Sequence, residues 1–224
     1  MSLRGFSMGG GGCWHLGTHL AADWIAVAPG AGFAESLEYL GLARKNALPP
    51  AYEQTLWGLY DATKYAGNLF NTVTVAYSGE LDKQRQAADI MARHLAAEGL
   101  ALHHVIGPDT GHKYHPAAKA EIDERLNAAA SNGRNPVPAR VRLLTQTLRY
   151  NRQAWVQVDG LEAHWQPARV EARLASNERV EVTTKNVSRL VLSMPSGLCP
   201  LRPDDDPTVV IDGDELPGAR VRTD

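Results

Sequence analysis

Apolar positions follow two different rhythms along this chain, and the rhythm changes near residue 131. Over the first 130 residues, short apolar runs alternate with helical patterns, the order expected of a mostly parallel sheet crossed by helices. Trp24–Ala28, Thr72–Tyr77 and Leu102–Ile106 are nearly continuous apolar runs, as strands buried on both faces are. From Lys83 to Glu98, residues Ala87, Ala88, Ile90, Met91 and Leu95 recur at helical spacing, and Gly99 supplies the stop. A further helix is predicted from Pro116 to Ala130, with Pro116 suited to the first turn and Ile122 and Leu126 on one face. The stretch from Ala34 to Asn71 is less regular. Helical pieces are expected over Glu35–Leu40 and Ala62–Phe70, separated by a Pro49-Pro50 break, as a cap over a site or plain connection.

Residues 131–138, Ser-Asn-Gly-Arg-Asn-Pro-Val-Pro, form a turn-rich linker. Behind it stand short strand-like runs: Val141–Tyr150, Ala154–Val158, Leu161–Trp165, Val170–Leu174, Val180–Thr184, Leu190–Ser193 and Val209–Ile211. Asp159-Gly160 and Asp212-Gly213 are placed as hairpin turns. The expected organisation is therefore an α/β domain over 1–130, a linker, and a small sandwich-like all-β domain over 139–224.

Composition narrows the function classes. The chain is 44% hydrophobic and 21% charged with a net charge of −2, so wholesale disorder is excluded. No apolar run reaches the roughly 18 residues of a membrane span. No Lys/Arg cluster is present, which argues against nucleic acid as a partner. Cys13 and Cys199 are too few for a disulfide framework or a zinc site and read as small apolar residues. Met1–Ser7 lacks the charged and apolar regions of a signal peptide. It reads as the end of a β-strand entering a turn, so an upstream segment is expected to be missing, and residues 218–224 stop with no closing element. Low cysteine use suits the cytosol or a bacterial periplasm alike.

The sharpest motif is Gly5-Phe6-Ser7-Met8-Gly9, a G-x-S-x-G nucleophile elbow. A serine there sits on a strained strand-to-helix turn, and the helix start places partial positive charge beside it. An acid and a histidine should then follow in that order. Ser78-Gly79-Glu80-Leu81-Asp82 lies past the strand ending at Tyr77, and Gly107-Pro108-Asp109-Thr110-Gly111-His112 past the strand ending at Ile106. Both occupy the carboxyl ends of strands, where sites in α/β sheets belong. Asp82 has a rival in Glu80, and His112 has one in His115. His103 and His104 fall within a strand and read as structural. His15 and His19 share a helix face, but no Glu follows in the H-E-x-x-H manner, so no metal is expected. Asp204-Asp205-Asp206 reads as a solvated loop and Trp155 and Trp165 as core or cross-strand residues. Neither a P-loop nor a dinucleotide fingerprint occurs, so no nucleotide or flavin is predicted.

Three stretches, Arg4–Gly10 with Trp14–Gly17, Tyr77–Asp82 and Gly107–Pro116, together resemble the catalytic domain of prolyl-oligopeptidase-like serine hydrolases. The resemblance covers residues 1 to about 130 and implies the C-terminal half of an α/β-hydrolase sheet. It implies Ser7 as nucleophile, His112 as general base, Asp82 as orienting acid and the Met8 backbone N–H as one oxyanion donor. It further implies a small ester or peptide substrate, no cofactor, and no membrane or nucleic-acid partner. The β domain resembles a C-terminal extension of some bacterial members. The family's strands before the elbow, and with them the second oxyanion donor, are not present in this sequence. The elbow strand is then expected at a sheet edge, where a second copy of the chain would add as a homo-oligomer. A different reading keeps the hydrolase half as a remnant beside a ligand-binding β module.

Overall fold

Strand β1 (Leu3–Phe6) runs straight into the elbow, and helix α1 (Met8–His19) leaves it. Parallel strands β2 (Ala26–Gly30), β3 (Val73–Gly79) and β4 (His103–Gly107) follow, with spatial order β1-β2-β3-β4. This computed structural model describes residues 1–202 and 206–216, divided into two units, Met1–Arg134 and Asn135–Asp224. The class is the one the alternation predicts: a parallel α/β sheet, then a β module that is antiparallel except where the strand at Thr208–Ile211 runs parallel to the one at Arg179–Lys185. Asp204, Asp205 and the stretch 218–224 lie outside the described residues.

Each face of the parallel sheet has its own core. On one side Trp14 of α1, Leu69, and Ala87, Met91 and Leu95 of helix α3 (Gln86–Ala97) pack on Ala76. On the other, Ile122 and Leu126 of helix α4 (Pro116–Asn132) cover Ala26, Ala28, Val75, Tyr77 and Val105. Burying each of the Leu, Ile, Val and Met side chains contributes about 1.5–3 kcal/mol, which is why strands covered on both sides read as unbroken apolar runs.

Several expectations are corrected. Strand β2 begins two residues later than Trp24, whose N–H is taken by the Ala21 carbonyl to close a 3-10 turn, and it runs on to Gly30, opposite Phe6 of β1. Glu35–Leu40 is not a helix. The Glu35 carboxylate accepts the N–H groups of Leu37, Glu38 and Tyr39, and the following N–H groups reach unequal distances back, Gly41 to Glu38 and Leu42 to Leu37. Helix α2 (Ala51–Leu56) starts directly after the Pro49-Pro50 break, and Ala62–Asn71 is a 3-10 helix. Helix α1 begins at Met8 and takes in the four consecutive glycines Gly9–Gly12, earlier than the Cys13–Leu20 helix that their low helix propensity suggests. Helix α4 continues two residues past Ala130.

The second unit pairs a five-stranded sheet with a three-stranded one. The first has order β12-β11-β9-β8-β5, from β5 (Arg140–Thr145), β8 (Ala168–Leu174), β9 (Arg179–Lys185), β11 (Thr208–Ile211) and β12 (Asp214–Leu216). The second has order β10-β7-β6, from β6 (Arg152–Gln153), β7 (Val156–Leu161) and β10 (Val187–Leu192). Val141, Leu143, Trp155, Val158, Val170 and Val182 form the core between them. Asp212 and Gly213 make the expected hairpin turn, both at positive φ. Asp159-Gly160 does not turn: Gly160 pairs with Arg189 inside the β7–β10 ladder. The turn lies later, over the run expected as a strand at Leu161–Trp165, where the Asn186 side chain binds both backbone groups of Ala163. Strand β5 stops at Thr145, whose hydroxyl bonds the Thr147 backbone, and a 3-10 turn follows over Leu148–Tyr150.

Candidate active site

Ser7 is the pivot between β1 and α1. Its N–H donates to the Gly30 carbonyl at 2.9 Å, and its own carbonyl accepts from Gly11 at 3.1 Å, starting the helix. The price of this sharp reversal is a φ of 58° and ψ of −120°, a conformation that costs a serine of order 1–3 kcal/mol. The turn also brings Gly5 against Gly9, where a Cβ on Gly5 would stand 1.9 Å from the Gly9 carbonyl oxygen. Only a hydrogen fits at that position. The Ser7 hydroxyl makes no bond to the first turn of α1 and so does not cap it.

That hydroxyl lies 2.8 Å from Nε2 of His112, and His112 Nδ1 lies 2.8 Å from Asp82 Oδ2. A carboxylate only accepts, so Nδ1 carries the proton and Nε2 accepts from Ser7. The Asp82 side chain is 3% exposed and that of His112 is 42% exposed, so the orienting end is dry while the serine end faces solvent. The second Asp82 oxygen accepts the Gln84 N–H at 2.9 Å, which caps the turn beginning at Lys83. Asp82 therefore both caps and faces the imidazole.

The rivals are placed elsewhere. Glu80 accepts the Asp109 N–H at 2.9 Å. The His115 N–H donates to the Tyr77 hydroxyl, and His115 precedes helix α4 as its cap position. Met8 is the first residue of α1, where N–H groups have no intrahelical acceptor, and the residue is 84% exposed. The remaining histidines have separate settings. His103 pairs with Glu121 and His104 with the Ser78 hydroxyl, each at 3.0 Å. The rings of His15 and His19 touch at 4.3 Å between centroids, and burial beside Tyr65 pushes His19 down to about 3. Among the described residues, no group of three or more His, Cys, Asp or Glu is placed to hold a metal. Burial pushes the Cys13 thiol up to about 12, which leaves it a poor nucleophile.

Some contributors have no sequence signature. Phe6 lays its ring 4.8 Å from the His112 imidazole. Gln84 reaches across with its side-chain carbonyl to accept the Gly32 N–H at 2.9 Å, joining the Asp82 turn to the loop after β2. On that loop Phe33 packs over Gly11 of α1, and its ring meets that of Tyr39 at a tilt with centroids 5.1 Å apart, both about 40% exposed.

No family model matches the sequence, and no curated protein matches it. Solved structures do resemble it. Porphyromonas gingivalis dipeptidyl peptidase 4 shows 16% identity and a TM-score of 0.42 over 57% of this chain and 19% of that one. A puromycin-hydrolysing peptidase of Mycobacterium tuberculosis shows 14% identity and a TM-score of 0.45 over 59% of this chain and 22% of its own. S-formylglutathione hydrolase of Staphylococcus aureus shows 14% identity and a TM-score of 0.40 over 56% and 52%. The chain thus spans about a fifth of the length of the two peptidases and about half of the hydrolase.

Proposed function

We propose that this chain carries the reacting groups of a serine hydrolase of the α/β-hydrolase type, cleaving an ester or peptide bond through an acyl-enzyme. The observation that supports it most is the continuous hydrogen-bonded line from Asp82 through His112 to Ser7, with Ser7 held at positive φ at the head of a helix. In the acylation step the Ser7 oxygen attacks the substrate carbonyl while His112 Nε2 takes the hydroxyl proton. Asp82 remains ionised and holds the imidazolium by its Nδ1–H. Charge forming on the carbonyl oxygen is met by the Met8 N–H, a contribution of roughly 3–4 kcal/mol for one such donor. His112 returns its proton to the departing alcohol or amine. Water then enters, gives a proton to His112 and attacks the acyl carbon; His112 passes that proton to the Ser7 oxygen as its bond to the acyl carbon breaks, releasing the acid and restoring Ser7.

Phe33 and Tyr39 form an exposed aromatic wall beside the elbow, which suits an apolar or aromatic acyl group. The test is a series of nitrophenyl esters of increasing acyl size, set beside proline-containing dipeptidyl anilides, with the wild type and Ser7→Ala. Ester or anilide hydrolysis that vanishes in Ser7→Ala supports the reading, and the better substrate series assigns esterase or peptidase. A folded wild type that hydrolyses neither, with ligand binding unchanged by Ser7→Ala, supports the non-catalytic alternative.

A further inference from the structure

We propose that the Tyr77 hydroxyl is a clasp that holds the His112 loop in place, making Tyr77 a positioning residue for the base. The inference rests on the serine-hydrolase reading above.

His112 stands in the loop between β4 and α4, and that loop is tied to the sheet in two halves. The first half is held by backbone: the Glu80 N–H donates to Gly107 at 2.9 Å and the Leu81 N–H to Thr110 at 3.0 Å. Past Gly111 these ties end. There the Tyr77 hydroxyl donates to the Lys113 carbonyl at 2.7 Å and accepts the His115 N–H at 2.8 Å. Among the described residues, no other side chain bonds the loop backbone between His112 and His115. One phenol therefore brackets the residues that follow the imidazole.

The placement is built rather than incidental. Tyr77 is 1% exposed, and its ring stacks on Tyr114 at 4.6 Å. Gly107 opens the space for the hydroxyl: a Cβ there would stand 2.5 Å from the Tyr77 oxygen and 2.7 Å from the His115 Cβ. Phe6 closes the assembly, touching both the His112 and Tyr114 rings at 4.8 Å. Burial also raises the phenol above its ordinary value, so it stays protonated and able to donate. Tyr77 belongs to β3, the strand that leads into Asp82. The same strand thus fixes both neighbours of the imidazole, Asp82 along the chain and the His112 loop through the phenol. An imidazole exposed on its serine side, on a loop with nothing holding its second half, would sample positions an ångström away, and such displacements cost up to a hundredfold in rate.

Tyr77→Phe removes the hydroxyl and keeps the ring. Two readouts are taken on the full chain: the rate of fluorophosphonate labelling, and the proton NMR resonance of His112 Nδ1–H, assigned by its loss in His112→Gln. The expected result is labelling slowed between about tenfold and a hundredfold, with the Nδ1–H resonance shifted or lost and the remaining amide spectrum kept. Wild-type labelling with an unchanged resonance overturns the proposal. A global loss of the amide spectrum also overturns it, since the hydroxyl then holds the fold rather than the base. If Tyr77→Phe does not accumulate, Gly107→Ala, which presses a Cβ on the hydroxyl, decides by the same readouts. A wild type that does not label refutes the hydrolase reading instead. The resonance alone then judges the clasp, which stands if Tyr77→Phe shifts or removes it and falls if it is unchanged.

Discussion

Asp82→Asn separates the proposed catalytic role of this carboxylate from its structural one. Asp82 has two fixed partners: the Gln84 N–H at 2.9 Å on one oxygen and His112 Nδ1 at 2.8 Å on the other. An amide offers one oxygen. The Gln84 N–H is a backbone donor that cannot change character, so it claims that oxygen, and the amide NH2 is left facing Nδ1. Two donors then meet in a site where the Asp82 side chain was 3% exposed. The conflict is relieved when the imidazole proton moves from Nδ1 to Nε2, after which Nε2 donates to Ser7 and can no longer accept its proton. The turn cap survives, so stability should fall by less than about 1 kcal/mol. Reactivity should fall by about 10⁴-fold, or roughly 5 kcal/mol of transition-state stabilisation. The assay is the second-order rate of fluorophosphonate labelling, read by intact mass, beside a thermal melt of the same sample. A loss of less than tenfold in a folded variant would refute the assignment, as would a loss that merely follows unfolding.

Other expectations follow from buried groups around the site. Asp61 accepts both the N–H and the hydroxyl of Ser36, and burial, with Glu35 nearby, pushes its carboxyl up to about 6 from an ordinary 3.8. A raised acid contributes its full stability below its unfolded value and loses it as the pH rises through 6. Asp61→Asn, which keeps an accepting oxygen, should therefore melt higher than wild type above pH 6.5 and match it near pH 4; an advantage of equal size at both contradicts this. Gly5→Ala drives a Cβ into the Gly9 carbonyl, which is backbone and cannot yield. Urea unfolding should show a loss of about 3 kcal/mol or more, and a wild-type midpoint would refute the close approach. Gln84→Leu strips the Gly32 N–H of its acceptor at a cost of about 1–3 kcal/mol. Because that loop carries Phe33, KM for aromatic esters should rise more than kcat falls, and the reverse would place Gln84 with the reacting groups.

What was legible in the sequence is what depends on neighbours in the chain. Gly5, Ser7 and Gly9 mark the elbow because the turn's sterics are settled within five residues, and the acid and histidine loops are marked by the ends of the apolar runs that precede them. Asp82 and His112 are favoured over Glu80 and His115 by the motif match rather than by spacing, because the choice depends on which side chain the loops swing toward Ser7. Tyr77 read as the apolar end of a strand, and its hydroxyl partner lies 36 residues away. Gln84 meets Gly32 across 52. The misread hairpin at Asp159-Gly160 has the same origin: the dipeptide suits a turn, but the ladder with β10 passes through Gly160 and the Asn186 side chain stabilises the turn further on. At Glu35–Leu40 a helical spacing failed because one carboxylate gathers three successive N–H groups that no regular ladder then continues.

The central claim, that Asp82, His112 and Ser7 form a working nucleophile, is tested most directly by fluorophosphonate labelling of the purified chain with intact mass as the readout. The account predicts one adduct per chain in the wild type, mapped to Ser7 by peptide sequencing and absent from Ser7→Ala. A folded wild type that takes up no probe, or an adduct that persists in Ser7→Ala, would contradict it.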